Sequence, residues 1–268
     1  MSKEFTDKNY WALILGGSSG LGLATAQKLA KHGMNLFIVY RNRKVELKEV
    51  EKNFEEILSE GNQLVSFNED ALLVENREQI ISEIQKKIGK KGSVKVLVHS
   101  IAKGNLKPMA AGKVPVLAND DFHLTIDAMA VSLYDWTSEL FNKGLFSKDA
   151  RIISFTSEGS SRAWKNYAAV SASKAALEAI TRSIALEFAS YGIRANCIRA
   201  GITDTKSFRM IPGSEVLAEY SKTRNPFKRL TKPEDVANVV YLLTLDEASW
   251  INGAVIPVNG GEDILEIL

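Results

Sequence analysis

The sequence predicts an α/β fold, a doubly wound parallel sheet of about seven strands with helices on both faces. Short apolar runs rich in β-branched and aromatic residues alternate with longer segments of helical periodicity along the chain. No repeat, low-complexity tract or Ser/Pro-rich linker interrupts this alternation. With 268 residues, 45% of them hydrophobic, the chain can bury one α/β core. We therefore expect a single domain spanning residues 1–268.

Each strand is predicted where a short apolar run is bounded by turn residues. In chain order these runs are WALIL (11–15), NLFIVY (35–40), QLVSF (63–67), VKVLVHS (94–100), RIISF (151–155), RANCI (194–198) and AVIPV (254–258). Helical periodicity predicts helices over residues 20–32, 44–59, 75–88, 121–143, 167–190 and 233–244. A helix between two strands is the crossover that parallel pairing requires.

Two segments, 103–120 and 201–232, lack this regularity, and each follows a predicted strand. In an open parallel sheet, the loops at the carboxyl ends of the strands form the ligand crevice. The sequence therefore predicts that both segments form walls around a substrate.

Composition argues for a small-molecule substrate in a reducing, cytoplasmic setting. The 34 basic and 32 acidic residues are interspersed and leave a net charge of +2, which favours neither nucleic acid nor a membrane surface as partner. Cys197 is the one cysteine, so an intrachain disulfide is excluded and no Cys/His metal pattern exists. The polar start, MSKEFTDKNYW, has no signal-peptide character, and no apolar run is long enough to span a bilayer.

A glycine-rich turn joins the first strand to the first helix in LILGGSSGLGLATAQKLA. Gly16, Gly20 and Gly22 allow a tight turn and a close approach of the backbone to a pyrophosphate. Ser18 and Ser19 add hydroxyl donors, and Leu21 lies between the last two glycines. The strand and helix on either side favour a Rossmann-type dinucleotide site over a plain turn, which remains the alternative.

The end of the second strand, FIVYRNRK, favours NADPH over NADH. An acidic residue that would bind the ribose 2′-hydroxyl of NADH is absent here. Arg41 and Arg43 can instead hold a 2′-phosphate, although RNRK is also compatible with the start of a solvated, charged helix. Asp70, followed by Ala71, is a candidate contact for the adenine after the third strand, and equally a helix cap.

Tyr167 and Lys174 lie seven residues apart at the start of a long helical pattern. Seven residues make two helical turns, about 10 Å of rise with about 20° of angular drift. The two side chains therefore share one face without touching, a spacing that suits opposite sides of one ligand. Lysine can hydrogen-bond ribose hydroxyls and favour charge on the phenol, which can stabilise a developing oxyanion.

These motifs together resemble the short-chain dehydrogenase/reductase superfamily. The resemblance rests on GGSSGLG, HSIA after the fourth strand, Tyr167 with Lys174, AGIT after the sixth strand and NGAVIPVNGG, and it covers nearly the whole chain. It implies cofactor contacts at two further turns. Those residues are Ser100, Ile101 and Ala102 in the first turn, and Gly201, Ile202 and Thr203 in the second.

The chain is similar to a divergent branch of that superfamily, the bacterial enoyl-acyl-carrier-protein reductases. Ordinary members carry Tyr-x3-Lys, whereas Ser171 occupies that lysine's position and the spacing is Tyr-x6-Lys. Met129 aligns with the catalytic asparagine of carbonyl-reducing members. Because Ser157 stands where many enoyl reductases have a second tyrosine, the resemblance is closest to the NADPH-preferring type called enoyl reductase III.

The resemblance implies reduction of a trans-2-enoyl thioester on acyl carrier protein or coenzyme A, in fatty-acid or related biosynthesis, by a homotetramer. Thr156 and Ser157 are candidates for contacting the substrate carbonyl, or alternatively for stabilising a turn. His99 is expected to be a buried, hydrogen-bonded histidine. Two alternatives stay open: a 3-oxoacyl or other carbonyl reductase, and a catalytically silent NADPH-binding sensor.

The second irregular segment has apolar residues for an acyl chain and can form a mobile lid. Its basic residues can dock an acidic carrier protein, or they can belong to a solvated, charge-rich helix. They are Lys206, Arg209, Lys222, Arg224, Lys228 and Arg229.

Overall fold

The computed structural model of the protein describes residues 3–264 and contains one seven-stranded parallel sheet. The strands are β1 (Tyr10–Leu15), β2 (Asn35–Tyr40), β3 (Leu64–Asn68), β4 (Ser93–His99), β5 (Phe146–Ser157), β6 (Ile193–Ala200) and β7 (Val255–Val258). They lie side by side in the order β3-β2-β1-β4-β5-β6-β7. The predicted Rossmann-type doubly wound sheet is thus confirmed.

Nine α-helices connect the strands over residues 3–264. They are α1 (Gly20–Lys31), α2 (Leu47–Leu58), α3 (Val74–Ile88), α4 (Asn119–Ile126), α5 (Ser132–Asn142), α6 (Ala168–Glu187), α7 (Lys206–Arg209), α8 (Ser214–Arg224) and α9 (Pro233–Thr244). None of these helices is long and apolar enough to cross a lipid bilayer.

Both faces of the sheet are covered, because successive strand residues point to opposite sides. On β1, Leu13 and Leu15 pack on the face that carries α3, α5 and α6. Ala12 and Ile14 pack on the other face, with α1, α2 and α9. The doubly covered sheet is a rigid support, and its strand order reverses beside β1, where ligand crevices form in such sheets.

The structure differs from the predicted elements in several places, two of them within the sheet and its neighbouring helices. The single helix predicted over 121–143 is two helices, α4 and α5, joined by a π-helical turn at Asp127–Val131. β5 begins at Phe146, five residues before the apolar run RIISF. Its polar start is stabilised by an ion pair between Asp149 and the buried Lys95 of β4 at 2.5 Å, a contact that apolar periodicity cannot reveal.

Candidate functional site

A cleft of about 800 Å³ opens at the carboxyl edge of the sheet. Its walls come from the turns after all seven strands and from the irregular segments 103–120 and 201–232. The residues predicted as site residues line it, apart from Gly22. They are Gly16, Ser18, Ser19, Gly20, Leu21, Arg41, Arg43, Asp70, Ala71, Ser100, Ile101, Ala102, Thr156, Ser157, Tyr167, Lys174, Gly201, Ile202 and Thr203.

The turn after β1 is a cradle that only glycine can form. Gly16 has a φ of +84°, and a Cβ there would lie 2.4 Å from the carbonyl oxygen of Ser100. A Cβ on Gly22 would lie 2.2 Å from the carbonyl oxygen of Gly16, so Gly22 packs α1 against the turn from below. Ser19 precedes α1 and does not cap it with its side chain, which leaves the first N–H groups of the helix directed at the cleft. This geometry fits a pyrophosphate.

The loop after β2 is held in place by two asparagines that sequence reasoning missed. The backbone N–H of Asn42 donates to Asn68 Oδ1 at 2.9 Å, and Asn68 Nδ2 donates back to the Asn42 carbonyl at 3.2 Å. Ser18 Oγ donates to Asn42 Oδ1 at 2.7 Å, which ties this loop to the glycine turn. The signal was present in RNR, where Asn42 separates the two candidate arginines. The asparagine pair fixes the backbone that carries both of them.

The predicted contact of Asp70 with the adenine stays a prediction, and the helix-cap alternative is wrong, because α3 begins after Leu73 and Asp70 lies in the turn before it. Its Oδ1 accepts from the backbone N–H of Leu72 at 3.0 Å, the turn-stabilising role. Its Oδ2 pairs with Arg41 Nη1 at 2.6 Å, and Lys103 lies 3.6 Å away. Arg41 therefore keeps its remaining N–H donors for a ligand, while Arg43 also lines the cleft.

Tyr167 is the residue immediately before α6, and not its first helical residue as predicted. The preceding Asn166 has a φ of +63°, a left-handed conformation that turns the chain into the helix. Tyr167 is only 8% exposed, and burial raises the pKa of its phenol, an effect that the nearby hydroxyl of Ser157 opposes. The phenol therefore retains its proton at neutral pH.

Lys174 is buried two turns further along α6. Burial lowers the pKa of its ammonium group to about 8, opposed by the nearby Cys197 and Glu178. Its Nζ donates to the carbonyl oxygen of Phe155 on β5 at 2.6 Å. The expected effect of Lys174 on the Tyr167 phenol is not observed, because burial dominates the pKa of Tyr167 and the two groups lie two turns apart.

The surroundings of Tyr167 are apolar and tightly packed. A Cβ on Gly159 would lie 2.6 Å from Tyr167 Cε1, so glycine is required for the phenol ring to take this position. The Trp164 ring lies 5.2 Å from the Tyr167 ring, centroid to centroid. Met129 and Val170 complete the buried cluster around the tyrosine. Met129 lies in the π-helical turn and lines the cleft, which places a thioether beside the phenol.

The two hydroxyls predicted to contact a substrate carbonyl differ in availability. Thr156 Oγ1 donates to Glu178 Oε1 at 2.7 Å and is therefore engaged behind Lys174, which argues against its role as a carbonyl donor. Ser157 Oγ makes no hydrogen bond of acceptable geometry within residues 3–264 and faces Tyr167. Ser157 is thus the hydroxyl that can turn toward a ligand.

His99 has the structural role expected for it. Its Nε2 lies 2.8 Å from Ser132 Oγ, whose hydroxyl donates to the carbonyl oxygen of Ala128. Burial, followed by the charge of Lys174, lowers the pKa of His99 to about 3. The imidazole is therefore neutral and positions the turn that carries Met129.

At the far side of the cleft, the turn after β6 is closed by its own threonines. Thr203 Oγ1 donates to the Gly201 carbonyl at 2.9 Å, and Thr203 pairs with Thr231 in an isolated bridge. A Cβ on Gly201 would lie 2.4 Å from Thr231 Oγ1. This turn begins the segment 201–232, which contains α7 and α8 and covers the cleft.

The basic residues of that segment do not form a free cationic surface. Arg224 is 6% exposed and pairs with Glu158 at 2.7 Å, so its predicted place in a docking surface is wrong. The reason is that Arg224, at the end of α8, turns inward to Glu158, which directly follows β5. Four of the others pair with nearby carboxylates. These pairs are Lys206–Glu49, Arg209–Asp204, Lys222–Glu219 and Arg229–Asp235.

The chain is similar in sequence and fold to known oxidoreductases. A family model described as enoyl-(acyl carrier protein) reductase matches residues 16–262. A probable 2,4-dienoyl-CoA reductase of Caenorhabditis elegans is 29% identical, covering 95% of this chain and 81% of its own. A chloroplastic NADPH-dependent aldehyde reductase-like protein of Arabidopsis thaliana is 30% identical over 93% of each chain. The solved enoyl-[acyl-carrier-protein] reductase (NADH) of Aquifex aeolicus is 26% identical, covers 97% of this chain and 99% of that one, and has a TM-score of 0.83.

Proposed function

The chain belongs to the short-chain dehydrogenase/reductase superfamily of oxidoreductases, and we propose that it reduces the 2,3 double bond of a trans-2-enoyl thioester with NADPH. The observation that carries this proposal is the buried Tyr167 phenol, with Ser157 facing it, Lys174 two turns away and an apolar Met129 beside it. The thioester is carried by acyl carrier protein or coenzyme A. The C. elegans relative is named as an enoyl-CoA-producing reductase, which supports this substrate class.

The residues of the cleft fit a dinucleotide cofactor, which members of this superfamily bind as NAD or NADP. Bound NADPH would supply the hydride for the β-carbon of the substrate. The glycine cradle and the start of α1 would hold its pyrophosphate, and Arg41 and Arg43 its 2′-phosphate. Ser100, Ile101, Ala102, Gly201, Ile202 and Thr203 line the rest of the cofactor path.

Tyr167 has the features of an oxyanion donor. Its phenol is protonated and largely excluded from water, so it can donate a hydrogen bond to the thioester oxygen as negative charge develops there. Ser157 is placed to give a second hydrogen bond to the same oxygen. The resulting enolate is stabilised until its α-carbon is protonated, which completes the reduction.

Lys174 is a positioning residue in this proposal. Its stem is packed in the core and its amine is anchored on the Phe155 carbonyl, at the end of the strand that carries Ser157. From there, the amine can hydrogen-bond the ribose of the cofactor. Its lowered pKa of about 8 leaves it mainly cationic at neutral pH, which suits this role.

A carbonyl reductase is the second candidate. The A. thaliana relative is named as an aldehyde reductase-like protein, and Tyr167 can equally protonate an alkoxide. Met129 favours the enoyl reductase, because a thioether gives the site no polar relay for delivering a proton. A silent NADPH-binding sensor is less well supported, because such a protein has no need to bury a tyrosine and a lysine along one cleft.

Steady-state rates separate these candidates. Purified protein is mixed with NADPH and either trans-2-enoyl or 3-oxoacyl thioesters of equal chain length, and loss of nicotinamide absorbance is followed. The enoyl reductase proposal predicts selective turnover of the enoyl series, with lower rates when NADH replaces NADPH. Selective turnover of the oxoacyl series would establish the carbonyl reductase, and tight NADPH binding without turnover of either would favour the sensor.

We further propose that the protein is one domain over residues 1–268, acts in the cytoplasm and forms a homotetramer. The single seven-stranded sheet and the family match over residues 16–262 support one domain. Light scattering after size-exclusion chromatography tests the tetramer. A mass of one 29.5 kDa chain across the micromolar range would contradict it.

A further inference from the structure

Three charged side chains from distant parts of the chain meet on the wall of the cleft. Glu158 directly follows Ser157 at the end of β5, Arg224 is the last residue of α8, and Glu262 follows β7. Arg224 Nη2 lies 2.7 Å from Glu158 Oε2 and 3.4 Å from Glu262 Oε1. All three residues line the cleft, and we call them the polar corner.

The polar corner has hydrogen-bonding capacity that the protein does not use. Arg224 is 6% exposed and Glu262 is 3% exposed. Arg224 Nε and Glu262 Oε2 nevertheless make no well-aligned hydrogen bond in the part of the chain that is described, although the Ser221 hydroxyl and the Ile202 N–H lie close to the Glu262 carboxylate. A buried donor and a buried acceptor left unpaired are unfavourable in a folded protein. The two residues that line the cleft thus retain an N–H donor and a carboxylate acceptor, which a small movement of the side chains would expose to a ligand.

Charge around the polar corner is balanced. Glu158 also pairs with Arg162 at 2.8 Å, and a separate pair, Arg199–Asp263, lies at 3.1 Å on the same side. Three cationic side chains thus face three carboxylates. An anionic ligand would be repelled by the carboxylates, and a bare alkyl chain would remove water from the ions without replacing its hydrogen bonds. A neutral group that both donates and accepts a hydrogen bond fits.

The polar corner belongs to the substrate side of the cleft. Glu158 is flanked by Ser157, which faces the Tyr167 phenol, and by Gly159, where a Cβ would touch the Tyr167 ring. The glycine cradle and Arg41, assigned to the cofactor, follow β1 and β2 instead. A ligand group in the polar corner is consequently part of the molecule that reacts beside Tyr167.

We propose that the polar corner binds a neutral hydrogen-bonding group of the acyl thioester, a hydroxyl or an amide. This rests on the proposed function in taking a thioester as the substrate. Two parts of such a molecule can present this chemistry: a hydroxyl on the acyl chain, or an amide of the pantetheine arm. The corner then sets which thioesters are accepted, and it disfavours those that place only methylene groups against it.

Binding of unreactive, saturated thioesters in the presence of NADP⁺ tests the proposal without depending on turnover. Isothermal titration compares hexanoyl with 3-hydroxyhexanoyl and 6-hydroxyhexanoyl thioesters on the same carrier. It also compares an N-acetylcysteamine thioester with an S-pentyl thioester of equal length, which lacks the amide. If the polar corner binds a hydroxyl of the acyl chain, we expect a hydroxyhexanoyl thioester to bind about tenfold more tightly than the hexanoyl thioester. If it binds an amide of the pantetheine arm, we expect a similar preference for the N-acetylcysteamine thioester over the S-pentyl thioester.

Variants connect the preference to the polar corner. Arg224→Met and Glu262→Gln should each reduce it to less than about threefold while leaving the affinity for the apolar thioester nearly unchanged. Lys222→Met, which removes an exposed cation two residues earlier on α8, is the matched control and should retain the preference. Glu262→Gln preserves shape, so it keeps the test decisive if Arg224→Met does not fold.

The outcomes are separable from those of the proposed function. Equal binding of every polar and apolar pair by the wild type would overturn the polar corner and leave it as a tether between α8 and β5. A preference retained in both variants would also overturn it. If the wild-type protein does not reduce enoyl thioesters but still binds the polar thioesters more tightly, the proposed reaction is wrong and the proposed role of the polar corner is supported.

Discussion

Tyr167 and Lys174 are affected by burial in the same way, since burial favours the uncharged form of each group. The pKa of the Tyr167 phenol is raised and that of the Lys174 ammonium is lowered. The spacing of seven residues was sufficient to predict that both line one ligand site. Their charges could not be predicted from spacing, because desolvation depends on Gly159, Trp164 and Met129, which fold around the tyrosine.

Removing the phenol oxygen should abolish most turnover and leave cofactor binding intact. We expect Tyr167→Phe to lower kcat about 10²–10³-fold, because it removes a preorganised donor to the developing oxyanion. The Kd for NADPH, measured by fluorescence titration, should change less than about threefold. A variant with kcat within threefold of the wild type would contradict the assigned role.

The lowered pKa of Lys174 predicts a pH dependence of stability. The folded protein holds this lysine at a pKa of about 8, and the unfolded chain returns it to its ordinary 10.5. Between these values, the unfolded chain binds more protons, so raising the pH stabilises the folded state. Relative to Lys174→Met, the wild-type free energy of unfolding should rise by roughly 1–2 kcal/mol from about pH 8 to about pH 10.

Urea denaturation of both proteins at the two pH values measures this difference. The Lys174→Met protein serves as the reference, because every other group that titrates in this pH range is present in both proteins. Parallel stability changes in the two proteins would show that the Lys174 ammonium is not destabilised by burial.

At the scale of helices and strands, hydrophobic periodicity predicts most elements, whereas elements that depend on tertiary contacts do not follow from it. The seven apolar runs form strands; the five inner strands are largely buried on both faces, whereas the edge strands β3 and β7 are only partly buried. The π-helical turn at Asp127–Val131 escaped prediction, because residues on either side of it keep helical periodicity. The sequence predicts residues 201–232 to be irregular, yet α7 and α8 form there. Hydrophobic periodicity does not reveal α8, because this helix is mostly polar and is stabilised by ion pairs.

The glycine turn between β1 and α1 allows a controlled test of close approach. Gly16 and Gly61 have nearly the same φ, +84° and +86°. A Cβ on Gly16 would meet the Ser100 carbonyl at 2.4 Å, whereas a Cβ on Gly61 would have no neighbour within 4 Å in the described structure. Both alanine variants carry the strain of a left-handed residue, roughly 1–2 kcal/mol. Only Gly16→Ala adds a steric clash.

We expect Gly16→Ala to weaken NADPH binding by about 100-fold or more and Gly61→Ala to leave it unchanged, because only the first displaces the cradle. Fluorescence titration gives the two affinities, and circular dichroism checks that both variants are folded. Equal, small effects of the two substitutions on NADPH binding would show that the glycine turn is not part of the cofactor site.

For the molecule as a whole, local motifs were predictable and their assembly was not. Short sequence motifs are sufficient to predict the glycine turn and the roles of Tyr167 and Lys174 as site residues. The polar corner joins Glu158, Arg224 and Glu262, which are separated along the chain by 66 and 38 residues. Only the folded sheet brings these residues together. The sequence alone therefore predicts a surface position for Arg224, which is wrong.

Cofactor binding should stabilise the entire fold, because the cleft joins the turns after all seven strands. A ligand at about 100 times its Kd contributes about 2.7 kcal/mol. For a chain of this size, that raises Tm by roughly 5–10 °C. We expect NADPH to raise Tm more than NADH at equal concentration, and Arg41→Gln/Arg43→Gln to reduce that difference. Equal shifts by both cofactors in the wild type would contradict the preference for NADPH.

The position to which hydride is delivered tests the central claim most directly. The protein is incubated with a trans-2-enoyl thioester and each C4 epimer of deuterated NADPH, and the product is analysed by mass spectrometry and nuclear magnetic resonance. We predict a saturated acyl thioester with one deuterium on its β-carbon, from one epimer only. No incorporation into the enoyl substrate, with deuterium appearing instead on the carbinol carbon when a 3-oxoacyl thioester is supplied, would contradict the assignment as an enoyl reductase.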